Sequence, residues 1–365
     1  MQFDNVEMLD WVKRLEGDDL IDIASSGVPV IKQVNDLGLP SGDLPLWGDN
    51  DYGYVPLKGL LAERFGVQSD QVMITPGASM ANFMVMSLLL KSGDRVIVES
   101  PVYRPLVETA EAIIECPVQR FDRRPENDYH LDPEELKLDP PPKLIILTNP
   151  HNPTGIYDSS DTFARFAEYM ERCNGWVLVD EVFSPFMPDG DRTTIASAHN
   201  RVIATGGLTK VWGLNGLRIG WITAPAPMIR RLEKMTNYMH VTQPFITEYI
   251  AYKVLSDESL NNRLLQFARS RAKENLAVVR SFMKGHPQLT FTEPDGGITA
   301  LVRFRDGRSS NLFCKRLLQE HRTVVMPGRF FDVPDGFRLG FGETKDTVER
   351  GLDAISKLLL SSLRA

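Results

Sequence analysis

The chain has 365 residues, of which 42% are hydrophobic and 24% charged, so it has the composition of a soluble globular protein and the length of two domains. Its net charge of −7 does not favour nucleic acid or an anionic membrane as a partner. The longest apolar run, residues 83–90, is too short to cross a bilayer.

Helices and strands alternate along the first part of the chain. Apolar spacing predicts an amphipathic helix at 8–15, a short strand at 20–24 and a long irregular segment at 35–59. From residue 57 onward we expect helices at 57–65, 80–91, 104–113 and 159–173, a turn of helix at 133–136, and strands at 72–74, 96–98, 114–121, 144–147, 176–179 and 202–204. Many of these strands are near-continuous apolar runs, so the pattern predicts an α/β fold with a mostly parallel sheet covered by helices on both faces.

After residue 225 the strand signal weakens, and the pattern changes to that of a smaller α+β domain. Expected there are helices within 227–285 and at 309–321 and 345–362, and strands at 289–292, 298–304, 324–326 and 337–341. We therefore divide the chain into an N-terminal helix and arm at 1–45, which packs with the small domain, a large domain at 46–258 and a C-terminal small domain at 259–365.

The cysteines and the N-terminal residues indicate the cellular compartment of the protein, and the histidines indicate whether it binds a metal. Three widely separated cysteines are typical of free thiols in a reducing cytoplasm. The six histidines show no metal-ligand spacing. No basic segment precedes an apolar one at the N-terminus, so we expect no secretory signal and a cytoplasmic protein.

A lysine follows the last of the predicted parallel strands, at the sheet edge where ligands of such sheets bind. Gly206 and Gly207 form a turn after strand 202–204, and Lys210 comes just past it, with Arg218 further on. Burial would lower the pKa of the lysine amine, and a neutral amine condenses with carbonyl groups. Taken alone, the motif is more typical of a surface lysine after an ordinary turn.

Other strand ends carry candidate binding groups. Residues 77–79 open a helix and could cradle a phosphate, although a capped helix start explains them as well. Tyr103 could stack on a flat ring or only pack, and Asn152 could donate to a ring oxygen or a carboxylate. Asp180 ends an apolar strand and needs a cationic partner. Together with the lysine, these groups are the functional inventory of a site for pyridoxal 5′-phosphate (PLP).

Over nearly its whole length the chain resembles the class I and II aminotransferases, which are PLP-dependent enzymes of fold type I. The motifs that carry the resemblance are NPTG at 152–155, DEVF at 180–183, GLTK at 207–210, GLRIG at 216–220 and FRLGFG at 337–342. Their order and spacing are specific to that family, and the resemblance implies a large domain that binds PLP.

The resemblance assigns roles to individual residues. Lys210 forms a Schiff base with the cofactor, Asp180 pairs with the pyridinium nitrogen, and Tyr103 stacks on the ring; these three are the expected catalytic residues. The expected cofactor-binding residues are Gly77, Ala78, Ser79, Tyr103, Asn152, Asp180, Phe183, Thr209, Lys210, Arg218 and Tyr54. Those expected to bind substrate are Gly27, Asn152 and Arg338, the last through the α-carboxylate.

The resemblance also implies a homodimer. Tyr54, placed before Gly59 as in the family, would reach the phosphate bound by the neighbouring subunit, with Tyr52 as the alternative. Two residues depart from the family pattern: Phe183 stands where a tyrosine is usual, and Gly207 stands where a serine or threonine is usual. Because phenylalanine donates no hydrogen bond to the ring oxygen, we expect a Schiff-base nitrogen of higher pKa than is usual in the family.

The predicted function is amino transfer between an amino acid and a 2-oxo acid. A PLP-dependent lyase or cyclase is the enzyme alternative, because Phe183 and the segments 21–28 and 327–329 also resemble the capreomycidine synthase branch, with similarity through 291–342. A cofactor-binding regulator is the non-enzyme alternative. The motifs leave the substrate side chain open.

Overall fold

The computed structural model describes residues 4–15, 17, 19–39, 44–136 and 139–362. Within them the helices are α1 (Glu7–Lys13), α2 (Val55–Phe65), α3 (Ala78–Leu89), α4 (Arg104–Ile114), α5 (Ser160–Arg172), α6 (Ala226–Met239), α7 (Phe245–Ser256), α8 (Glu258–Gly285), α9 (Ser310–His321) and α10 (Lys345–Ser362). The strands are β1 (Ile21–Asp22), β2 (Val72–Thr75), β3 (Val96–Ser100), β4 (Gln119–Asp122), β5 (Leu144–Thr148), β6 (Trp176–Asp180), β7 (Val202–Gly207), β8 (Gly220–Thr223), β9 (Leu289–Phe291), β10 (Thr299–Phe304), β11 (Thr323–Val324), β12 (Met326–Pro327) and β13 (Gly336–Gly340).

A seven-stranded sheet forms the centre of the large part of the molecule. Its strands lie in the order β2-β8-β7-β6-β5-β3-β4, and all are parallel except β8, which runs antiparallel to both its neighbours. Thr148, Asp180 and Thr205 lie side by side in the register of β5, β6 and β7. The mostly parallel sheet expected from the sequence is confirmed, and the carboxyl ends of its central strands meet at one edge.

Apolar side chains cover both faces of this sheet. On one face Val98, Ile146 and Ile203 pack against α3, α4 and α6, and on the other Ile145 and Val177 pack against α5. Because successive residues of a strand point to opposite faces, a strand buried on both sides must be apolar throughout, as residues 144–147 are.

The small sheet lies in the C-terminal part of the chain. Its order is β12-β13-β10-β9, all antiparallel, and it packs in one core with α8, α9 and α10. Separately, β1 pairs with β11 in parallel, so the N-terminal segment is attached to this part of the molecule. The division of the chain at residues 45 and 258 stays a prediction.

Several predicted boundaries were wrong. The strand expected at 114–121 begins at Gln119, because Ile113 and Ile114 belong to the buried face of α4, which ends where Glu115 turns left-handed at φ 58°. The strand expected at 324–326 is two short strands that pair in different sheets. The first strand is only two residues long.

Helix boundaries near the expected irregular segment also differ. That segment contains a 3₁₀ turn at Val34–Leu37 and ends where α2 begins at Val55; its residues 40–43 lie outside the described part. Helix α3 begins two residues earlier than expected, so Ala78 and Ser79 are its first turn. No helix among the described residues is long and apolar enough to cross a membrane.

Candidate active site

A cleft with about 710 Å³ of empty space opens at the carboxyl ends of the central strands. Its lining consists of Ser26, Ala78, Ser79, Tyr103, Thr148, Asn152, Asp180, Val182, Phe183, Gly207, Thr209, Lys210 and Arg218. Most of the cofactor-binding residues expected from the sequence are therefore in one place. Gly77, Gly27 and Arg338 lie just behind the lining, in contact with residues that form it.

Lys210 follows β7 by three residues and projects into the cleft. Its Nζ donates a hydrogen bond to Ser26 Oγ at 3.0 Å and lies 6.0 Å from the centre of the Phe183 ring. Burial, and after it the positive charge of Arg338, lowers the pKa of the Lys210 amine to about 8, while Asp180 opposes the shift. At pH 7 roughly a tenth of this amine is therefore neutral, far more than of an ordinary lysine.

Asp180 ends β6 beside the lysine and is held by two donors. Asn82 Nδ2 donates to its Oδ2 at 2.7 Å, and the Val182 amide donates to its Oδ1 at 3.1 Å. Thr205 Oγ1 in turn donates to Asn82 Oδ1 at 2.7 Å, which fixes the orientation of the amide. Burial raises the pKa of Asp180 and these hydrogen bonds oppose the rise. Since no lysine, arginine or histidine in the described part of the chain forms an ion pair with it, Asp180 is available to a cationic ligand.

Asn82 was missed by the sequence reasoning. It lies in the expected helix at 80–91, where it is a single buried amide among apolar residues. Such a residue needs a polar partner, and that signal was present in the sequence without indicating which partner it has. Ser26 lies in segment 21–28, whose resemblance to the capreomycidine synthase branch assigned it no role, and no motif indicated Thr148.

The first turn of α3 presents its backbone amides at the cleft. No described side chain caps this helix, so its N-terminal amides are available to a ligand, and Ser79 is exposed beside them. Gly77, at φ 88°, lets the Arg218 guanidinium approach, since an added Cβ would lie 2.5 Å from Nη2. Gly220 likewise lets β8 approach the Ala78 amide, which a Cβ would meet at 2.5 Å.

The absence of a hydroxyl side chain at Gly207 has a steric explanation. A Cβ at this position would lie 3.0 Å from the Ile219 carbonyl oxygen and 3.6 Å from the Ala78 nitrogen. The backbone of the paired strand β8 and the start of α3 both lie close to position 207, and this closeness favours glycine there.

Arg338, in the middle of β13, is 2% exposed. Its Nη1 donates to Asn152 Oδ1 at 3.0 Å and its Nη2 donates to the Ala24 carbonyl at 2.7 Å. Its buried Nε has no hydrogen-bond partner in the described part of the chain, and burial lowers the pKa of the guanidinium to about 10. A buried cation without a carboxylate partner is a strong candidate for binding an anionic substrate group.

Tyr103 and Asn152 complete the wall between Lys210 and Arg338. Burial, reinforced by Asp180, raises the pKa of Tyr103 to about 12, so its hydroxyl stays protonated. The backbone N–H of Asn152 donates to Thr148 Oγ1 at 3.2 Å, and its side-chain Oδ1 accepts the bond from Arg338. The Asn152 side chain is therefore held next to Arg338.

Tyr54 lies away from this cleft in its own chain. Its ring packs at 5.2 Å from Phe245 and 5.6 Å from Tyr252, and its amide donates to Glu248. Within one subunit, Tyr54 and the cleft are therefore not brought together.

A family model for the class I and II aminotransferases matches residues 48–355. The chain belongs to this family. Capreomycidine synthase of Streptomyces vinaceus is 28% identical over 79% of this chain and 74% of its own length. Among solved structures, a PLP-dependent aminotransferase from Streptococcus suis superimposes with a TM-score of 0.88 at 25% identity, covering 99% of both chains. The PLP-dependent cyclase OrfR superimposes with a TM-score of 0.87 at 27% identity, covering 99% of this chain and 98% of its own.

Pyridoxal 5′-phosphate is therefore the cofactor of this class I/II enzyme, and the cleft fits it. The uncapped start of α3 with Arg218 suits a phosphate, and Asp180, which has no ion pair among the described residues, suits the protonated nitrogen of a pyridine ring. Lys210 has the low pKa that an amine needs to condense with an aldehyde. In the described residues there is no cluster of side chains that could hold a metal ion.

Proposed function

We propose that the enzyme transfers an amino group between an amino acid and a 2-oxo acid, and that Lys210 is its catalytic amine. The observation that carries the proposal is the arrangement around this amine: its pKa is about 8, it shares one cleft with Asp180, and Arg338 lies beyond Asn152 with an Nε that has no partner among the described residues. A carboxylate bound at Arg338 would place the substrate within the same cleft as the lysine.

The cofactor is held at its phosphate and at its ring in this proposal. The amides of Ala78 and Ser79, the Ser79 hydroxyl and Arg218 bind its phosphate, and Gly77 gives them room. Its ring is flanked by further lining residues that the sequence assigned to it: Tyr103, Asn152, Asp180, Phe183 and Thr209. When bound, the cofactor supplies an aldehyde for amine exchange and a cationic ring that accepts the electron pair left by the substrate Cα proton.

In this proposal, different residues of the chain bind the substrate, pair with the cofactor ring and move the proton. Arg338, Asn152 and Gly27 bind the substrate α-carboxylate and orient the Cα–H bond. Asp180 remains ionised next to the cationic ring nitrogen, which favours its charged form against burial. The Lys210 amine, whose lowered pKa leaves more of it neutral than an ordinary lysine, accepts the Cα proton and returns it to the C4′ carbon of the cofactor, two bonds away across the nitrogen.

The working unit proposed is a homodimer in the cytoplasm. Leu46, Trp47, Tyr238 and Val241 are 82%, 85%, 92% and 61% exposed, and the two segments that carry them, residues 46–50 and the end of α6 with the residues after it, are joined where Asn50 donates to the Gln243 carbonyl. An exposed apolar face next to Tyr54 suits a second copy of the chain. Tyr54, or failing that Tyr52, would contact the phosphate in the partner's cleft.

Transamination is tested with four donors of different side-chain chemistry: L-aspartate, L-arginine, L-phenylalanine and L-alanine. Mixed separately with the purified yellow enzyme, at least one donor should convert the cofactor to its aminated form, and a 2-oxo acid should reverse the change. Retention of the original spectrum with all donors and with an extended amino-acid panel would refute amino transfer.

A second candidate is elimination or replacement of a β-substituent, including cyclisation. It is favoured by the similarity to capreomycidine synthase and to the cyclase OrfR, together with Phe183 in place of a tyrosine. Release of ammonia with a 2-oxo acid, or a cyclised product without net amino transfer, would support this candidate over the first.

A further inference from the structure

Ser26 lies on a segment that is attached to both sides of the cleft. Two residues before it, the Ala24 carbonyl accepts a hydrogen bond from Arg338 Nη2 at 2.7 Å. Two residues after it, the Val28 amide donates to the Lys210 carbonyl oxygen at 3.1 Å. The position of Ser26 is therefore fixed relative both to Arg338, which binds the substrate carboxylate in the proposed function, and to Lys210.

The Ser26 hydroxyl is the polar contact of the free lysine amine. Lys210 Nζ donates to Ser26 Oγ at 3.0 Å, and no other side chain in the described residues hydrogen-bonds to it. On another side Nζ faces the Phe183 ring at 6.0 Å from its centre, and Asp180 forms no ion pair with it. Ser26 has no second hydrogen bond within the described part of the chain, so its own hydrogen is available as a donor.

A hydroxyl suits an amine that must change its protonation state. It accepts a hydrogen bond from an ammonium group and donates one to a neutral amine, so it serves both forms. A carboxylate at the same place would hold the lysine as ammonium, and an alkyl group would leave either form without a partner.

We propose that Ser26 receives the Lys210 amine whenever that amine is not bonded to the cofactor, and holds it in position to accept and return the substrate Cα proton. This rests on the function proposed above, in which Lys210 moves that proton. On accepting it, the amine becomes an ammonium hydrogen-bonded to Ser26, and the electron pair of the broken C–H bond passes to the cofactor ring. Return of the proton restores the amine, so Ser26 gains and loses no proton.

The first test measures the protonation of Lys210 directly. The holoenzyme is loaded with the aminated cofactor, pyridoxamine 5′-phosphate, so that Lys210 is free, and its acetylation by acetic anhydride is followed against pH by peptide mass spectrometry. In Ser26→Ala the midpoint should fall by about half a pH unit, and acetylation at pH 7 should be about threefold faster, because the ammonium has lost a charge-assisted hydrogen bond. Ser26→Thr should restore the wild-type midpoint.

Ser25→Ala is the matched control. Among the described residues its hydroxyl accepts a bond only from the nearby Gly27 amide, at 3.4 Å, and Ser25 does not line the cleft. It should leave the Lys210 midpoint unchanged. Equal midpoints in wild type and Ser26→Ala, or an equal shift in Ser25→Ala, would overturn the assignment.

The second test measures proton transfer. With the best donor of the four-donor panel, Ser26→Ala should slow the single-turnover half-reaction about tenfold, with less change in the donor concentration at half-saturation, and should enlarge the isotope effect of an α-deuterated donor. Unchanged rates and isotope effects in Ser26→Ala would reject the role of Ser26 alone. Failure of every variant and of the wild type to react would instead reject amino transfer.

Discussion

Substituting leucine for Asn82 tests how far Asp180 depends on its side-chain hydrogen-bond donor. The substitution removes the 2.7 Å bond to Asp180 Oδ2 and leaves the buried Thr205 hydroxyl without the acceptor it now has at 2.7 Å. A hydrogen bond to a charged group contributes about 1.5–3 kcal/mol and one between neutral groups about 0.5–1.5 kcal/mol. Since the Asp180 bond stabilises the ionised carboxylate that the cofactor ring requires, we expect the half-reaction to slow by about 10- to 100-fold.

The comparison variant is Thr205→Val, which retains the Asp180 bond and loses only the neutral one. It should slow the half-reaction by no more than about tenfold. Stopped-flow absorbance of the cofactor gives the rates, equilibrium titration gives cofactor affinity, and thermal unfolding identifies loss of folded protein. A half-reaction in Asn82→Leu within twofold of wild type, with unchanged cofactor affinity, would show that Asp180 does not depend on Asn82.

Four further predictions use other contacts of the cleft. Phe183→Tyr should lower the pKa of the cofactor's Schiff-base nitrogen, because a donor to the ring oxygen stabilises its negative charge; a spectral pH titration identical to wild type would contradict this. Arg338→Lys should raise the donor concentration at half-saturation at least about tenfold, since the planar fork that binds a carboxylate bidentately is lost; an unchanged value measured by initial rates speaks against this role. Gly77→Ala should weaken cofactor affinity, because its Cβ would lie 2.5 Å from Arg218 Nη2 and displace that guanidinium, and should lower the melting temperature, because alanine at φ 88° carries about 1–3 kcal/mol of backbone strain; a fluorescence titration and a melting curve that match wild type would contradict both effects. Cofactor uptake by the apoenzyme should rise with pH around a midpoint near 8, because only the neutral Lys210 amine condenses; a midpoint near that of an ordinary lysine would contradict the lowered pKa.

The sequence predicted the parallel sheet and the main residues of the cleft because both leave local patterns. Short apolar runs such as 144–147 are typical of strands buried on both faces, and polar residues follow the strand ends. It did not predict that β8 runs antiparallel, since an apolar run has no direction until its neighbours are known. The strand expected at 114–121 begins too early, because Ile113 and Ile114 fit the buried face of a helix equally well.

Local sequence patterns could not predict the hydrogen bonds that Asp180 and Lys210 make. Asn82 meets Asp180 across 98 positions of the chain, and Ser26 meets Lys210 across 184. A buried asparagine signals that it needs a partner, but only the packing of α3 against β6 and β7 shows which one. The steric reason for glycine at 207 likewise appears only when β8 and the start of α3 are in place.

The most direct measurement is the site at which the cofactor is attached. Borohydride reduction of the yellow holoenzyme converts a cofactor–lysine linkage into a stable amine, and tryptic peptide mass spectrometry then locates it. We predict a single modified residue, Lys210, with modification lost in Lys210→Ala. Modification of a different lysine, or an unmodified protein after reduction, would contradict the proposed chemistry of the cleft.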